Sequence, residues 1–241
     1  MVKMMIQSSR KRHNITPSIH TARGVFLAAV MSVFFILPAE AQVRSPQILI
    51  TWEAHTYAPS RFGGKLLPAT GSSLDASAEV VDQGKISSLK NTTVYWYLDD
   101  ELVQSGQDLQ KIRFRASDIA AGTMDLRVQI PDYPGGIILK TIQIPVVRPD
   151  VAIRRIPGDA SRRSIFSLEA LPYFFNVNSI ASLGFMWSVN GTSPDVTSRP
   201  DMITVKVNDD APAGTAISVR LGVQNTKDPL QGASRQIAVT L

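Results

Sequence analysis

Residues 112–130 read IRFRASDIAAGTMDLRVQI, and residues 203–223 read ITVKVNDDAPAGTAISVRLGV. In the first stretch Ile112, Phe114 and Ala116 fall on every second position, and Met124, Leu126, Val128 and Ile130 resume the same beat after a polar corner. In the second, Ile203, Val205 and Val207 are followed by Ile217, Val219, Leu221 and Val223. A period of two puts one face of each segment in a core and the other in water, the pattern of a half-buried strand. Both corners carry Asp and end in Ala-Gly-Thr: Asp118 with Gly122, and Asp210 with Gly214. Both stretches follow a tryptophan at nearly the same distance, since Gly122 lies 26 residues after Trp96 and Gly214 lies 27 after Trp187. An offset of about 91 residues makes this an internal repeat, which predicts two domains of similar build.

Outward from these stretches the alternation continues. Ile48, Ile50, Trp52 and Ala54 keep it, as do Leu74, Ala76, Ala78 and Val80, then Val94, Trp96 and Leu98, and later Ile142, Ile144 and Val146. In the second half Phe166, Leu168 and Ala170 keep it, then Phe185, Trp187 and Val189, and finally Ile237, Val239 and Leu241. Turn-rich pieces such as Gly63-Gly64, Asp99-Asp100 and Pro131–Gly136 separate the strands. No stretch beyond residue 45 sustains helical spacing over three turns. The expectation is an all-β chain of two tandem antiparallel sandwiches, residues 42–149 and 150–241, joined around Val147-Arg148-Pro149-Asp150.

Residues 1–41 belong to a different class. Lys3, Arg10, Lys11, Arg12 and Arg23 precede the apolar run GVFLAAVMSVFFIL at 24–37, and Pro38 ends it before Ala39-Glu40-Ala41. A basic flank, a short apolar run and small residues at Ala39 and Ala41 describe a secretory signal cleaved after Ala41. Fourteen apolar residues fall short of the roughly 20 of a spanning helix; an uncleaved signal anchor is the alternative. The whole chain of 241 residues carries 25 Lys+Arg and 20 Asp+Glu, net +5, with a pI near 9.6. Cleavage removes five of those cations and one anion, Glu40, leaving 20 against 19 and a net charge of +1. The electrostatic case for a nucleic-acid partner leaves with the signal. The chain has no cysteine, which excludes disulfides, thiol catalysis and Cys-based metal sites. Three histidines fall to one, His55, once the signal is gone.

A core Trp, an alternating strand, Asp, Ala-Gly-Thr and another alternating strand is similar to the pattern of bacterial immunoglobulin-like and PKD-like domains. The resemblance implies that Trp96 and Trp187 fill the space between sheets, and that Asp118 with Gly122, and Asp210 with Gly214, shape the corners as structural core positions. The absence of a Cys pair departs from the antibody type. Trp52-Glu53-Ala54, Tyr57-Ala58-Pro59, Gly64-Lys65 and Pro68, with Ala170-Leu171-Pro172-Tyr173-Phe174, resemble uncharacterised secreted proteins of uncultured bacteria. This architecture hosts many roles, so it implies little about activity.

Leu67-Pro68-Ala69-Thr70-Gly71 spells a sortase pentapeptide, but a whole domain follows where an apolar span and basic tail belong, so it reads as a loop. Gly63-Gly64-Lys65 lacks the first Gly and the Ser/Thr of a phosphate loop. His55 alone offers neither a triad nor a metal set. Asp99-Asp100-Glu101 and Asn208-Asp209-Asp210 are acidic but lack EF-hand spacing and read as turns. Two surface features stand out. Arg154, Arg155, Arg162 and Arg163, close to Arg148, make a candidate patch for an anionic partner, with a charged edge strand as the simpler alternative. Tyr173, Phe174 and Phe175 make a candidate aromatic docking patch, with packing against the first domain as its alternative. No catalytic, metal or cofactor residue emerges. The expected protein is exported and non-catalytic, an extracytoplasmic binding or structural module whose partner is an unknown protein or envelope polymer. It touches membrane only through an uncleaved signal. An accessory subunit of an envelope assembly such as a pilus, and a secreted hydrolase or carbohydrate-binding protein, are the alternatives.

Overall fold

A computed structural model describes residues 45–118, 121–156, 165–195 and 198–241. The signal segment with Ala39 and Ala41, and Arg162 and Arg163, lie outside these residues. Among the described residues all regular structure is strand, apart from one 3₁₀ turn at Ile180–Ser182. Residues 43–241 form one compact unit.

The first sandwich holds β1 (Gln47–Ala54), β2 (Ser73–Asp82), β3 (Lys85–Ser87), β4 (Thr93–Leu98), β5 (Glu101–Gln107), β6 (Lys111–Arg115), β7 (Gly122–Ile130) and β8 (Ile138–Val146). One sheet pairs β1 with β2, whose other edge carries β6 and β3; the second runs β5-β4-β7-β8. The second sandwich holds β9 (Asp150–Ile156), β10 (Ile165–Tyr173), β11 (Leu183–Val189), β12 (Met202–Lys206), β13 (Ala216–Asn225) and β14 (Asp228–Thr240). Its sheets run β12-β10-β9 and β11-β13-β14. Every named pairing is antiparallel. The fold is all-β and immunoglobulin-like.

The repeat is visible strand by strand. β1, β2, β4, β6, β7 and β8 correspond to β9, β10, β11, β12, β13 and β14, while β3 and β5 have no counterpart. Alternation made these strands: β10 buries every second residue along its length, and β13 does the same. Each sandwich closes around its own cluster, with Trp96 and Leu74 in the first and Leu168 and Trp187 in the second. The two tryptophans are tethered alike. The Trp96 indole N–H donates to the Leu109 carbonyl at 2.9 Å and the Trp187 indole N–H to the Pro200 carbonyl at 3.0 Å, each acceptor 13 residues onward.

The hairpins after the two tryptophan strands also begin alike. Asp99 and Asp100 (φ 48° and 67°) turn β4 into β5, and Asn190 and Gly191 (φ 48° and 85°) turn β11 back to Thr192. Two central residues of positive φ match the strand twist of a tight hairpin. β5 then runs along β4, but the second hairpin stops after the Val189–Thr192 bridge. Continuing that register puts Pro194 opposite Trp187, and proline has no N–H to donate. Among the described residues, no strand therefore pairs with this edge of β11 between Phe185 and Trp187.

Candidate functional site

Backbone, aromatic and amide contacts between distant parts of the chain come together where the sandwiches meet. This junction is built by the 55–72 loop, the connection between β1 and β2. Tyr57 N–H donates to the Phe175 carbonyl at 2.8 Å, and Phe174 N–H donates to the Tyr57 carbonyl at 2.7 Å. This two-bond bridge carries the Tyr57 side chain into contact with the second core. Burial raises the Tyr57 phenol above its ordinary range, with further help from the charges of Asp201 and Glu169. Phe62 packs edge-on against Tyr173 and Phe174, with ring centroids 5.7 and 5.8 Å away.

A polar relay runs alongside. Asn176 Nδ2 donates to the Thr70 carbonyl, and the Asn176 N–H donates to Gln231 Oε1, which also accepts from Asn225 Nδ2. Gln231 and Asn225 are buried, so each of these bonds offsets a desolvation cost. The loop is anchored on its own side too, by Val147 N–H to the Pro68 carbonyl and Thr56 Oγ1 to the Leu67 carbonyl. Beside the bridge, a groove of about 500 Å³ is lined by His55, Tyr57, Pro59, Phe62 and Val177, among others.

This geometry corrects the aromatic docking patch. Phe175 is fully buried, and Tyr173 and Phe174 are half-buried against Phe62. The strand ends at Tyr173 and Phe174 adopts φ 62°, so strict alternation does not govern the three rings. The three aromatics are an internal seam.

Of the arginines, Arg154 and Arg155 lie on an edge strand, the simpler of the two expectations, and Arg162 and Arg163 lie outside the described residues. Arg154 and Arg155 are consecutive in β9, so they project to opposite faces. Arg154 is paired with Glu169, and the Arg155 guanidinium stands 5.1 Å over the Phe166 ring. Arg199 pairs with Asp201 beside the same Glu169. Arg154 and Arg155 therefore do not share one face as a common anion site, and β9 is an edge strand of its sheet.

Asp118 and Asp210 are exposed at their corners rather than part of the core. The Asp210 N–H donates to Asn208 Oδ1 at 3.4 Å, so Asn208 supplies the corner's side-chain acceptor. Gly214 takes φ 89°, a conformation that suits glycine, while Gly122 pairs with Val146 at the start of β7. Asp99 accepts from Ser117 Oγ and from the Asp125 N–H, and Asp100 pairs with Arg127. Both turn carboxylates are thereby engaged by protein groups. In the LPATG segment Pro68 and Ala69 are buried and Ser72 N–H closes a turn onto the Ala69 carbonyl, so the pentapeptide is structural.

His55 sits on the outer face of the first sheet, where Nε2 lies 2.9 Å from Asp75. Asp75 also accepts two bonds from Arg113, at 2.6 and 2.8 Å. Those bonds, Arg113 first and His55 second, hold the Asp75 carboxyl well below the usual carboxylate range. Asp75 and Arg113 line an open trough of about 830 Å³ together with Thr51, Glu53, Ser77 and Lys111. Packing of the Tyr173–Phe175 aromatics against the first domain is one of the two sequence expectations, but this ladder and the Tyr57 and Phe62 side of the junction were missed. His55, just past β1, Asp75 in β2 and Arg113 in β6 are brought together only by strand pairing, and Tyr57 and Phe62 lie in a Gly- and Pro-rich loop that shows no periodicity.

No family model matches the chain, and no curated protein matches it. Among solved structures it is similar to the fibronectin(III)-like modules of CbhA from Clostridium thermocellum, at 15% identity and TM-score 0.28, covering 80% of this chain and 94% of that one. It is also similar to SGBP-B of the mixed-linkage glucan utilization locus of Bacteroides ovatus, solved in complex with a mixed-linkage heptasaccharide (16% identity, TM-score 0.25, 82% of this chain and 48% of that one). A third is the adhesin InvE of Yersinia pseudotuberculosis (15% identity, TM-score 0.27, 80% and 58%). The chain thus spans about half the length of the last two. At such TM-scores the fold is read from the strand order itself.

Proposed function

We propose that this protein is an exported, non-catalytic module that serves binding or structural roles outside the cytoplasm, its two sandwiches held as one platform. The observation that carries this reading is the Tyr57–Phe175 bridge with its Phe62 seam. Interfaces between domains of one chain are ordinarily mobile. A backbone bridge, an aromatic seam and a buried amide relay instead join these two into a stiff unit, as a spacer or presenting platform needs. The chemistry of the outer face supports the non-catalytic part. Asp75 is locked by Arg113 and His55 on an open surface, and such an environment works against the raised carboxyl pKa of a general acid.

Export is tested by expressing the full chain with a C-terminal tag in a bacterial host, fractionating the cells and sequencing the amino terminus. The expected product lies outside the cytoplasm and begins at Gln42. A cytoplasmic product still beginning at Met1 overturns the reading.

A further inference from the structure

We infer that the outer face of the first sandwich, from the middle of β1 to the junction loop, is a binding groove for a neutral polysaccharide chain. The inference rests on the reading of the chain as a binding module and names its ligand class. Two concavities make the groove: the trough of about 830 Å³ on the face of β1, β2 and β6, and the groove of about 500 Å³ beside the Tyr57–Phe175 bridge. Glu53 lines both. Thr51, Glu53 and His55 fall on alternate positions of the outer face, and the His55 N–H still donates to the Ser73 carbonyl at 2.9 Å. Strand register therefore carries from one concavity into the other, a span of about 13 Å from Thr51 to His55 at roughly 3.3 Å per residue. Tyr57, Pro59 and Phe62 then continue the lining. A long, open path suits a polymer lying along it, whereas a small molecule is bound by being enclosed.

Register sets two polar rows across this face. Glu53 stands opposite Asp75 and Asp75 opposite Arg113, while Thr51 stands opposite Ser77 and Ser77 opposite Lys111. A sugar hydroxyl both donates and accepts, so it is recognised by donors and acceptors held side by side. Arg113 spends Nε and Nη2 on Asp75, which leaves Nη1 as a donor, and His55 holds Asp75 from the other side. Thr51 and Ser77 share one hydroxyl bond at 2.7 Å, which leaves the second hydroxyl proton to donate. The Glu53 carboxylate, the Gln104 amide and the Lys111 ammonium have no protein partner among the described residues. Groups already oriented by their neighbours lose little freedom on binding. At the junction end Tyr57 and Phe62 add aromatic surface, and the negative face of such a ring attracts the polarised C–H groups of a sugar.

The lining also selects against other partners. Among the described residues, none of the exposed large apolar side chains lines either concavity, so the groove lacks the apolar centre of a protein interface. In the trough Lys111 and Arg113 are matched by Glu53 and Asp75, which leaves no net charge to hold a nucleic acid or another polyanion. The ligand that fits is extended, rich in hydroxyls and without formal charge. Its binding should change little with salt.

Purified full-length protein is titrated calorimetrically with hydroxyethylcellulose, glucomannan and dextran, all neutral and soluble, and with polygalacturonate as the anionic counterpart. Glu53→Ala and Lys111→Ala probe the groove, and Lys227→Ala, in the turn between β13 and β14, is the distant control. Glu53 and Lys111 are exposed, so both variants should melt as the parent does and a loss of binding reports the groove. The expected result is binding to at least one neutral polymer, unchanged by added salt, weakened several-fold by each groove variant and not by the control. No binding to any neutral polymer, or binding that the groove variants leave unchanged, overturns the inference. So does binding confined to polygalacturonate and abolished by salt, which would assign the face to a polyanion. The titration is made on purified protein, so a negative result leaves the export reading untouched.

Discussion

Asp75 receives two bonds from Arg113 and one contact from His55, all on an exposed sheet face where ion pairs contribute little at neutral pH. That small contribution is lost in acid. A carboxyl whose folded pKa lies below its unfolded value adds stability above the unfolded value, and that contribution is lost as pH falls through the folded one. The depressed Asp75 therefore supports the fold at pH 5 and above, and the support drains away below the ordinary carboxylate range. We predict that Asp75→Asn lowers the melting temperature near pH 7 by the modest amount an exposed ion pair supplies and flattens its decline between about pH 4 and 2, so that the two proteins converge in acid. Thermal melts across that range test this, and parallel curves for the two proteins contradict it. Individual residues were unevenly legible. The burial of Trp96 and Trp187 follows from alternation, but their tethering to the Leu109 and Pro200 carbonyls does not, because an indole's acceptor is chosen by loop geometry.

Strands showed themselves in the sequence when one face was buried. β2, β7, β10 and β13 alternate because their inner positions pack in a core. β5 escaped detection because it is exposed on both faces along nearly its whole length, so selection for apolar alternation has nothing to act on. β9 shows no such alternation, since as an edge strand it buries only Val151 fully, and only its run of charge marked it as an edge. The missing counterpart of β5 has a specific cause in Pro194, which stands where a donor to the Trp187 carbonyl is needed. We predict that Pro194→Thr extends the Val189–Thr192 hairpin along β11 and slows exchange of the Trp187 amide several-fold. The global stability should hardly move, because one added hydrogen bond of about 0.5–1.5 kcal/mol is offset by about 0.4–1 kcal/mol from the freer unfolded chain. Hydrogen exchange read by NMR decides it, and an unchanged Trp187 rate removes Pro194 as the cause of the open edge.

At the scale of the whole molecule, the repeat alone would allow two beads on a short string. What joins them is supplied by an 18-residue loop, residues 55–72, whose Tyr57 and Phe62 show no period and whose partners lie more than 100 residues away. Such a contact is invisible to local pattern, since only the folded second sandwich creates its seat. Its strength can be bounded. Tyr57 and Phe62 are half-buried, so truncating each should cost less than the roughly 3–5 kcal/mol of a fully buried aromatic. The two cores are separate clusters, each with its own tryptophan, so loss of the seam should leave both intact. We predict that Tyr57→Ala combined with Phe62→Ala splits a single cooperative thermal transition into two, and broadens the distance distribution from small-angle X-ray scattering toward longer values. The backbone bridge at Tyr57 does not need a side chain, so Tyr57→Ala alone should show a smaller change than the pair. A double variant that melts in one transition, with an unchanged scattering profile, would mean that the amide relay through Asn176 and Gln231 suffices to hold the platform together.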